Sequence, residues 1–232
     1  MNARRYIGAA ILAVSGLALA PGAAAGQMSL HGRAEVGRVE HRVRDAGMVQ
    51  PSAGVVFGGA LGVLVGDRFA VWGEALGGRL ASDSARGEDR DVAEVQLAGE
   101  AYLRPWLTAQ GGVNVRSYST PLARQRWTTL RLGAEARVPL ALDGVHGLVR
   151  AQWMPVVSVS GLEHPDIALA AGVGVEWRGP RVSVRALYTL ERYDFSGSAA
   201  AQRLEEVSSL QVGATLRLHT SGRKGSETTP SP

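Results

Sequence analysis

The chain has 232 residues, of which 45% are hydrophobic and 20% are charged, and this composition excludes a disordered chain. It contains no cysteine, which excludes disulfides, thiolate metal sites and cysteine nucleophiles. The formal net charge is +4, and the bases are nearly all arginines dispersed along the chain, so no nucleic-acid partner is expected.

The first 25 residues have the pattern of a Sec-type signal peptide. Arg4 and Arg5 precede an apolar stretch from Ile7 to Ala20, and Ala23 and Ala25 fit a small-residue cleavage site. A membrane anchor is the alternative, but the apolar stretch is short for a helical span. We therefore predict export, with a mature domain over residues 28–219 and a disordered tail over residues 220–232.

The mature chain alternates apolar and polar residues with the period of two that is typical of β-strands. In the clearest segment, Leu130, Leu132 and Ala134 alternate with Arg131 and Glu135. About ten strands are predicted on this basis, within a range of eight to twelve. They are Ser29–Arg44, Gly54–Val65, Phe69–Leu80, Glu94–Arg104, Leu107–Arg116, Thr128–Val138, Val145–Val157, Ile167–Arg178, Val182–Glu191 and Leu210–Leu218.

The connections between these strands alternate in length. Short turns are predicted near Gly66, Pro105, Asp143 and Gly179, and longer loops near Ala46 (Asp45–Pro51), Ser84, Pro121, Gly161 and Ala199. An up-and-down antiparallel barrel with both ends in the periplasm has this alternation, and it would leave the longer loops at the cell surface.

A soluble antiparallel barrel would show the same period. Strands of membrane-spanning length, charges in mid-strand and aromatic residues near strand ends favour a transmembrane β-barrel. The aromatic residues assigned to interface girdles are Trp106, Tyr118, Trp153, Trp177 and Tyr193.

Over Ser29–His219 the chain resembles the bacterial outer-membrane β-barrel proteins, through its leader, alternating strands and alternating turns and loops. The resemblance implies an outer-membrane location in a Gram-negative bacterium, with bilayer lipid, lipopolysaccharide and the barrel-assembly machinery as partners. Such barrels often end on an aromatic residue, whereas the last strand here ends at Leu218-His219.

The polar face of the strands predicts a lumen filled with arginine and glutamate. The predicted ion-pair network comprises Glu94, Glu100, Arg104, Arg116, Arg131, Glu135, Arg137, Arg150, Glu176, Arg178, Arg185, Glu191 and Arg217. Such charges must pair when they leave bulk water, and Arg131 is expected to pair with Glu100 or Glu135. A salt-bridged core and a small arginine-lined pore are both compatible with this pattern.

One catalytic arrangement is also possible at the loop end. The omptin proteases are ten-stranded outer-membrane barrels with an Asp pair and an Asp/His pair on opposite walls of the mouth. Asp89 and Asp91, with His164 and Asp166, are similar in placement, although the His precedes the Asp here and a proline separates them.

Three function classes therefore remain open: a structural or surface-interaction barrel, a small passive pore for small solutes, and a rim protease. The first is preferred, with no enzymatic activity. No metal or cofactor site is predicted, because the histidines are scattered and no ligand motif is present.

Overall fold

The computed structural model describes residues 28–45, 47–83, 88–120, 123–195 and 203–221. The predicted signal peptide at residues 1–25 lies outside the described residues, as do residues 222–232 of the predicted tail and Ser84, Pro121 and Ala199. The first two residues of the predicted tail, Thr220 and Ser221, belong instead to the last strand.

Ten antiparallel strands close into an up-and-down barrel, which confirms the predicted fold class and strand number. Each strand pairs with its neighbours in the sequence, and the first strand pairs with the last. The strands are β1 (Met28–Asp45), β2 (Met48–Val65), β3 (Phe69–Ser82), β4 (Arg90–Arg104), β5 (Leu107–Ser119), β6 (Arg124–Pro139), β7 (Val145–Val159), β8 (Ile167–Arg178), β9 (Val182–Phe195) and β10 (Arg203–Ser221). Within these residues no helix has the length and apolar character needed to cross a membrane.

The strands extend further than their apolar alternation indicated. The prediction of a loop over Asp45–Pro51 is wrong, since β1 ends at Asp45 and β2 begins at Met48. Gly47 lies in the turn with a φ of 81°, a left-handed conformation that glycine adopts without steric cost. This hairpin of two 18-residue strands forms part of the barrel wall.

The outer surface of the barrel carries a belt of exposed apolar side chains. Phe57, Leu61 and Val95 are 60% exposed or more, and Leu132 and Val173 also face outward. In water this surface would be costly, whereas in a bilayer it contacts lipid, and the closed ladder leaves no unpaired strand edge. The apolar face is therefore the lipid face, which is the arrangement that the sequence predicted.

The interior changes character along the barrel axis. At the end of the longer loops it contains a cluster of buried apolar side chains, which we call the loop-side core. The loop-side core comprises Val39, Val56, Leu80, Val92, Tyr118, Trp127, Met154, Val157, Val159, Ala168, Ala170, Tyr193, Phe195 and Val207. The assignment of Tyr118 and Tyr193 to an interface girdle is wrong, because both are buried here, whereas Trp106, Trp153 and Trp177 are exposed.

Around the loop-side core, the outer surface of the barrel changes from apolar to charged. On β1, Val36 is the last outward apolar residue, and Arg38, Glu40, Arg42 and Arg44 follow on the same face. A strand of 18 residues is about 60 Å long. At a tilt of about 45° it rises about 40 Å, more than an apolar belt of about 25 Å requires. The loop-end part of the wall therefore stands in water with an apolar interior.

Candidate functional site: the barrel interior

Below the loop-side core, four ionised side chains join opposite walls of the lumen. We call Glu94, Arg116, Arg131 and Glu191 the central quartet. The Nε of Arg116 lies 2.5 Å from Glu94, and its Nη1 lies 2.8 Å from Glu191. The Nη2 of Arg131 lies 2.8 Å from the other oxygen of Glu191. All four are buried, so the quartet crosses the barrel between β4, β5 and β6 on one wall and β9 on the other.

The alternation of the strands explains why these charges converge. Arg116 lies opposite Glu94 in the β4–β5 ladder, and Gly112 lies opposite Arg131 in the β5–β6 ladder. Side chains at these positions point inward because their neighbours face the lipid. Asn114 donates a further hydrogen bond of 2.5 Å to Glu94, so that both oxygens of this carboxylate are engaged.

A second group of charges surrounds Glu135 nearer the short turns. Its carboxylate lies 3.0 Å from Arg137, 2.8 Å from Arg150 and 2.5 Å from Arg185. Arg137 also approaches Glu176 at 3.4 Å. One carboxylate thus shares three guanidinium groups, which leaves arginine in local excess.

A third group lies against β1 and β3. Arg33 forms ion pairs with Glu74 and, at 3.3 Å, with Glu35, and its guanidinium lies 5.5 Å from the centre of the Trp72 ring. Trp72 has room because Gly62 faces it, where an added Cβ would come within 2.4 Å of the indole. A cavity of about 120 Å³ separates these groups from the central quartet.

The structure places a further polar cluster beside the loop-side core, which the sequence analysis missed. His41 Nε2 lies 2.8 Å from Glu205, and His41 Nδ1 lies 3.2 Å from Arg90. Arginine only donates, so Nδ1 accepts and Nε2 donates to Glu205, as a neutral imidazole does. Tyr118 stacks on the ring at 4.6 Å. The sequence could have predicted this cluster, because the alternation along β1 and β10 places His41 and Glu205 on the inward face.

Three of the predicted lumen residues lie towards the mouth formed by the short turns. Glu100 accepts a hydrogen bond of 2.8 Å from the Tyr102 hydroxyl. Arg217 lines the mouth, and Arg104 is exposed beside the β4–β5 turn, where it contacts the Leu103 carbonyl. Arg104 therefore stands apart from the ion-pair groups described above.

The four residues suggested for a rim protease lie on two separate hairpins, each with local contacts. Asp89 accepts a hydrogen bond from the Ser82 amide and pairs with Arg79 at 3.3 Å, whereas Asp91 is exposed on the outward face of β4. The Nδ1 of His164 lies 2.6 Å from the Val157 carbonyl, and the Asp166 amide donates to the Asp194 carbonyl.

Comparison with known proteins gives agreement in fold. No family model matches the chain, and no curated protein sequence matches it significantly. The crystal structure of the outer-membrane protease OmpT from Escherichia coli is similar, with a TM-score of 0.54 and 9% identity over 83% of this chain and 96% of that one. The translocator domain of the autotransporter NalP from Neisseria meningitidis covers 93% of this chain, with 13% identity and a TM-score of 0.48. The closed ten-stranded barrel with its outward apolar belt therefore has the fold of a bacterial outer-membrane β-barrel.

Proposed function

We propose that the protein is a non-conducting barrel of the outer membrane with a structural or surface-interaction role. The filled interior is the observation that supports this proposal. The central quartet joins opposite walls, and the loop-side core occupies the lumen beyond it. An ion would have to separate paired charges and then cross an apolar layer, both of which are unfavourable.

Conductance of the purified protein in a planar lipid bilayer tests this proposal. We expect no steady open level from the wild-type protein, with a general porin as the positive control. The variant Trp127→Ala/Tyr193→Ala removes two large side chains of the loop-side core and is expected to give brief openings. A steady open level from the wild-type protein would instead support the passive pore.

The protease alternative receives less support from the geometry. The likeness to OmpT extends to the fold alone, and Asp89 and His164 each contact a residue of their own hairpin, Asp89 the Arg79 side chain and His164 the Val157 carbonyl. Hydrolysis of fluorogenic basic peptides gives the direct test, with Asp89→Ala and His164→Ala as variants. We expect no activity above background, whereas activity lost in both variants would establish the protease.

The proposed partners follow from the two surfaces of the wall. Bilayer lipid would cover the apolar belt, and lipopolysaccharide would meet the outward arginines of β1, Arg38, Arg42 and Arg44. The barrel-assembly machinery stays an expectation, since the outward residues near the end of β10 are Leu216 and Leu218 rather than aromatic residues.

A further inference from the structure

The mouth at the short-turn end of the barrel opens into a cavity of about 350 Å³. One wall of this cavity is formed by β9, β10 and the end of β8. We call its inward hydrogen-bond donors the mouth wall. The mouth wall comprises Arg178, Arg181, Ser183, Arg185, Thr215 and Arg217.

The strand register brings these side chains together. Ser183 lies opposite Arg178 in the β8–β9 ladder and opposite Thr215 in the β9–β10 ladder. Arg185 follows Ser183 on the same face, and Arg217 follows Thr215. The Arg217 amide donates a hydrogen bond of 3.0 Å to the Arg181 carbonyl, and this bond holds Arg181 and Arg217 side by side.

The mouth wall has more donors than its neighbours can use. Arg178 gives its Nε to Glu176 at 2.6 Å, and Arg185 gives one nitrogen to Glu135. Arg181 and Arg217 form no ion pair with any residue that the structure describes. The other acids that line the cavity are Asp67 and Glu100, on the β2–β3 turn and on β4.

We propose that the mouth wall binds the phosphate oxyanion of a small ligand. Guanidinium groups keep their charge in proteins, so their mutual repulsion is relieved by an anion rather than by loss of a proton. Arginine forks bind phosphate oxygens in pairs, and the hydroxyls of Ser183 and Thr215 add shorter-range donors. The cavity exceeds the size of a phosphate ion, so a phosphate monoester also fits. This site does not depend on whether the barrel conducts.

Isothermal titration of the full-length protein in a phosphate-free sugar detergent at low ionic strength tests the site. Inorganic phosphate and glycerol 3-phosphate serve as the probes, and both should bind saturably. The variant Arg181→Gln/Arg217→Gln should weaken binding by about tenfold or more, because charged hydrogen bonds are lost. Both side chains are exposed and lie outside the ion pairs, so the barrel should still form, as heat-modifiable gel migration would verify.

The matched control is Arg124→Gln/Arg126→Gln, which removes the same charge from exposed positions on β6 at the other end. Its affinity for phosphate should equal that of the wild-type protein. If both variants bound phosphate equally weakly, the effect would come from overall charge and the proposal would be overturned. Failure of the wild-type protein to bind phosphate saturably would also overturn it. Thr215→Val supplies a second variant without a charge change, with weaker binding expected.

A lipid headgroup and a free phosphate ester carry the same chemistry, and the membrane composition separates them. In nanodiscs of phosphatidylglycerol, a headgroup that reaches the mouth wall would compete with inorganic phosphate in the wild-type protein. Affinity unchanged from that in detergent would identify a soluble ligand, whereas affinity lowered in the wild-type protein but not in Arg181→Gln/Arg217→Gln would identify the lipid.

Discussion

At the scale of single residues, two interior carboxylates each engage more than one arginine. Glu191 contacts Arg116 and Arg131, and Glu135 contacts three further arginines. Loss of Glu191 removes the carboxylate that pairs with Arg131 and leaves Arg116 with Glu94 alone, whereas loss of Arg131 leaves Glu191 paired with Arg116. The carboxylates should therefore be the more sensitive positions.

The substitution Glu191→Gln tests this asymmetry. It keeps the shape of the side chain but removes the charge, so Arg116 and Arg131 lose their shared partner and the free energy of unfolding should fall by about 3–5 kcal/mol. Urea titrations in lipid vesicles would measure it. Replacement of Arg131 by Met in the same chain should recover part of the loss, because the two sites are coupled. The matched control Glu206→Gln, on β10 with its side chain outward, should change stability by less than about 0.5 kcal/mol. A more stable Glu191→Gln protein would contradict the pairing.

The lipid face of β6 gives a second prediction. Leu132 is 42% exposed on the apolar belt, so Leu132→Arg should destabilise the barrel by about 2–4 kcal/mol. Thr128→Arg, on the same face but nearer the polar part of the wall, should cost about 0–1 kcal/mol. The same vesicle titrations apply. Equal costs at the two positions would mean that the belt does not end where β6 becomes polar.

At the scale of elements, each long strand changes surroundings along its length. Outward residues of β1 are apolar up to Val36 and charged from Arg38, and inward residues change from Arg33 and Glu35 to Val39. Apolar and polar residues still alternate beyond this point, but the apolar residues now face inward and the polar residues face outward. The change therefore marks where the wall leaves the bilayer.

Spin labels on successive outward positions of β1 would locate that boundary. Labels at Ala34 and Val36 should collide with oxygen, which dissolves in lipid, whereas labels at Arg38 and Arg42 should collide with a water-soluble nickel complex. The four labels lie on one face of the same strand, so the collision rates measured at neighbouring positions can be compared directly. Oxygen preference throughout would place the whole of β1 in the membrane.

The local period of two was sufficient to predict the strands and the two faces, as the opposite orientations of Arg131 and Leu132 illustrate. It did not predict which charges meet. Arg131 was expected to pair with Glu100 or Glu135 and pairs with Glu191 instead, because contacts across the lumen depend on the tilt and stagger of all ten strands. The extent of β2 was missed because Pro51, which lacks a backbone N–H donor, and Ser52 indicate a turn in the sequence, whereas both lie within the strand.

At the scale of the whole molecule, the barrel has a short-turn end and a loop end. Asp67, Pro105, Gly144 and Pro180 lie at the first, and Thr120 and Leu162 lie at the second. The water-exposed part of the wall belongs to the loop end, which supports the expectation that this end faces outward from the cell.

Cysteine labelling on intact cells tests the orientation, and the chain has no cysteine of its own to interfere. An impermeant thiol reagent should modify Thr120→Cys and Leu162→Cys but not Asp67→Cys or Pro180→Cys. All four should react once the cells are broken. Labelling of the second pair alone on intact cells would invert the topology.

The ladder between β1 and β10 runs from Met28 to Arg44, nearly the full length of both strands. Its partners stand at opposite ends of the sequence, so closure is a contact of very high sequence separation and is expected to be slow. Until β10 pairs with it, the 18-residue β1 has an unpaired edge, to which a strand of another chain could hydrogen-bond. Between the folding of β1 and the folding of β10, the chain is therefore most prone to aggregate with other copies of itself.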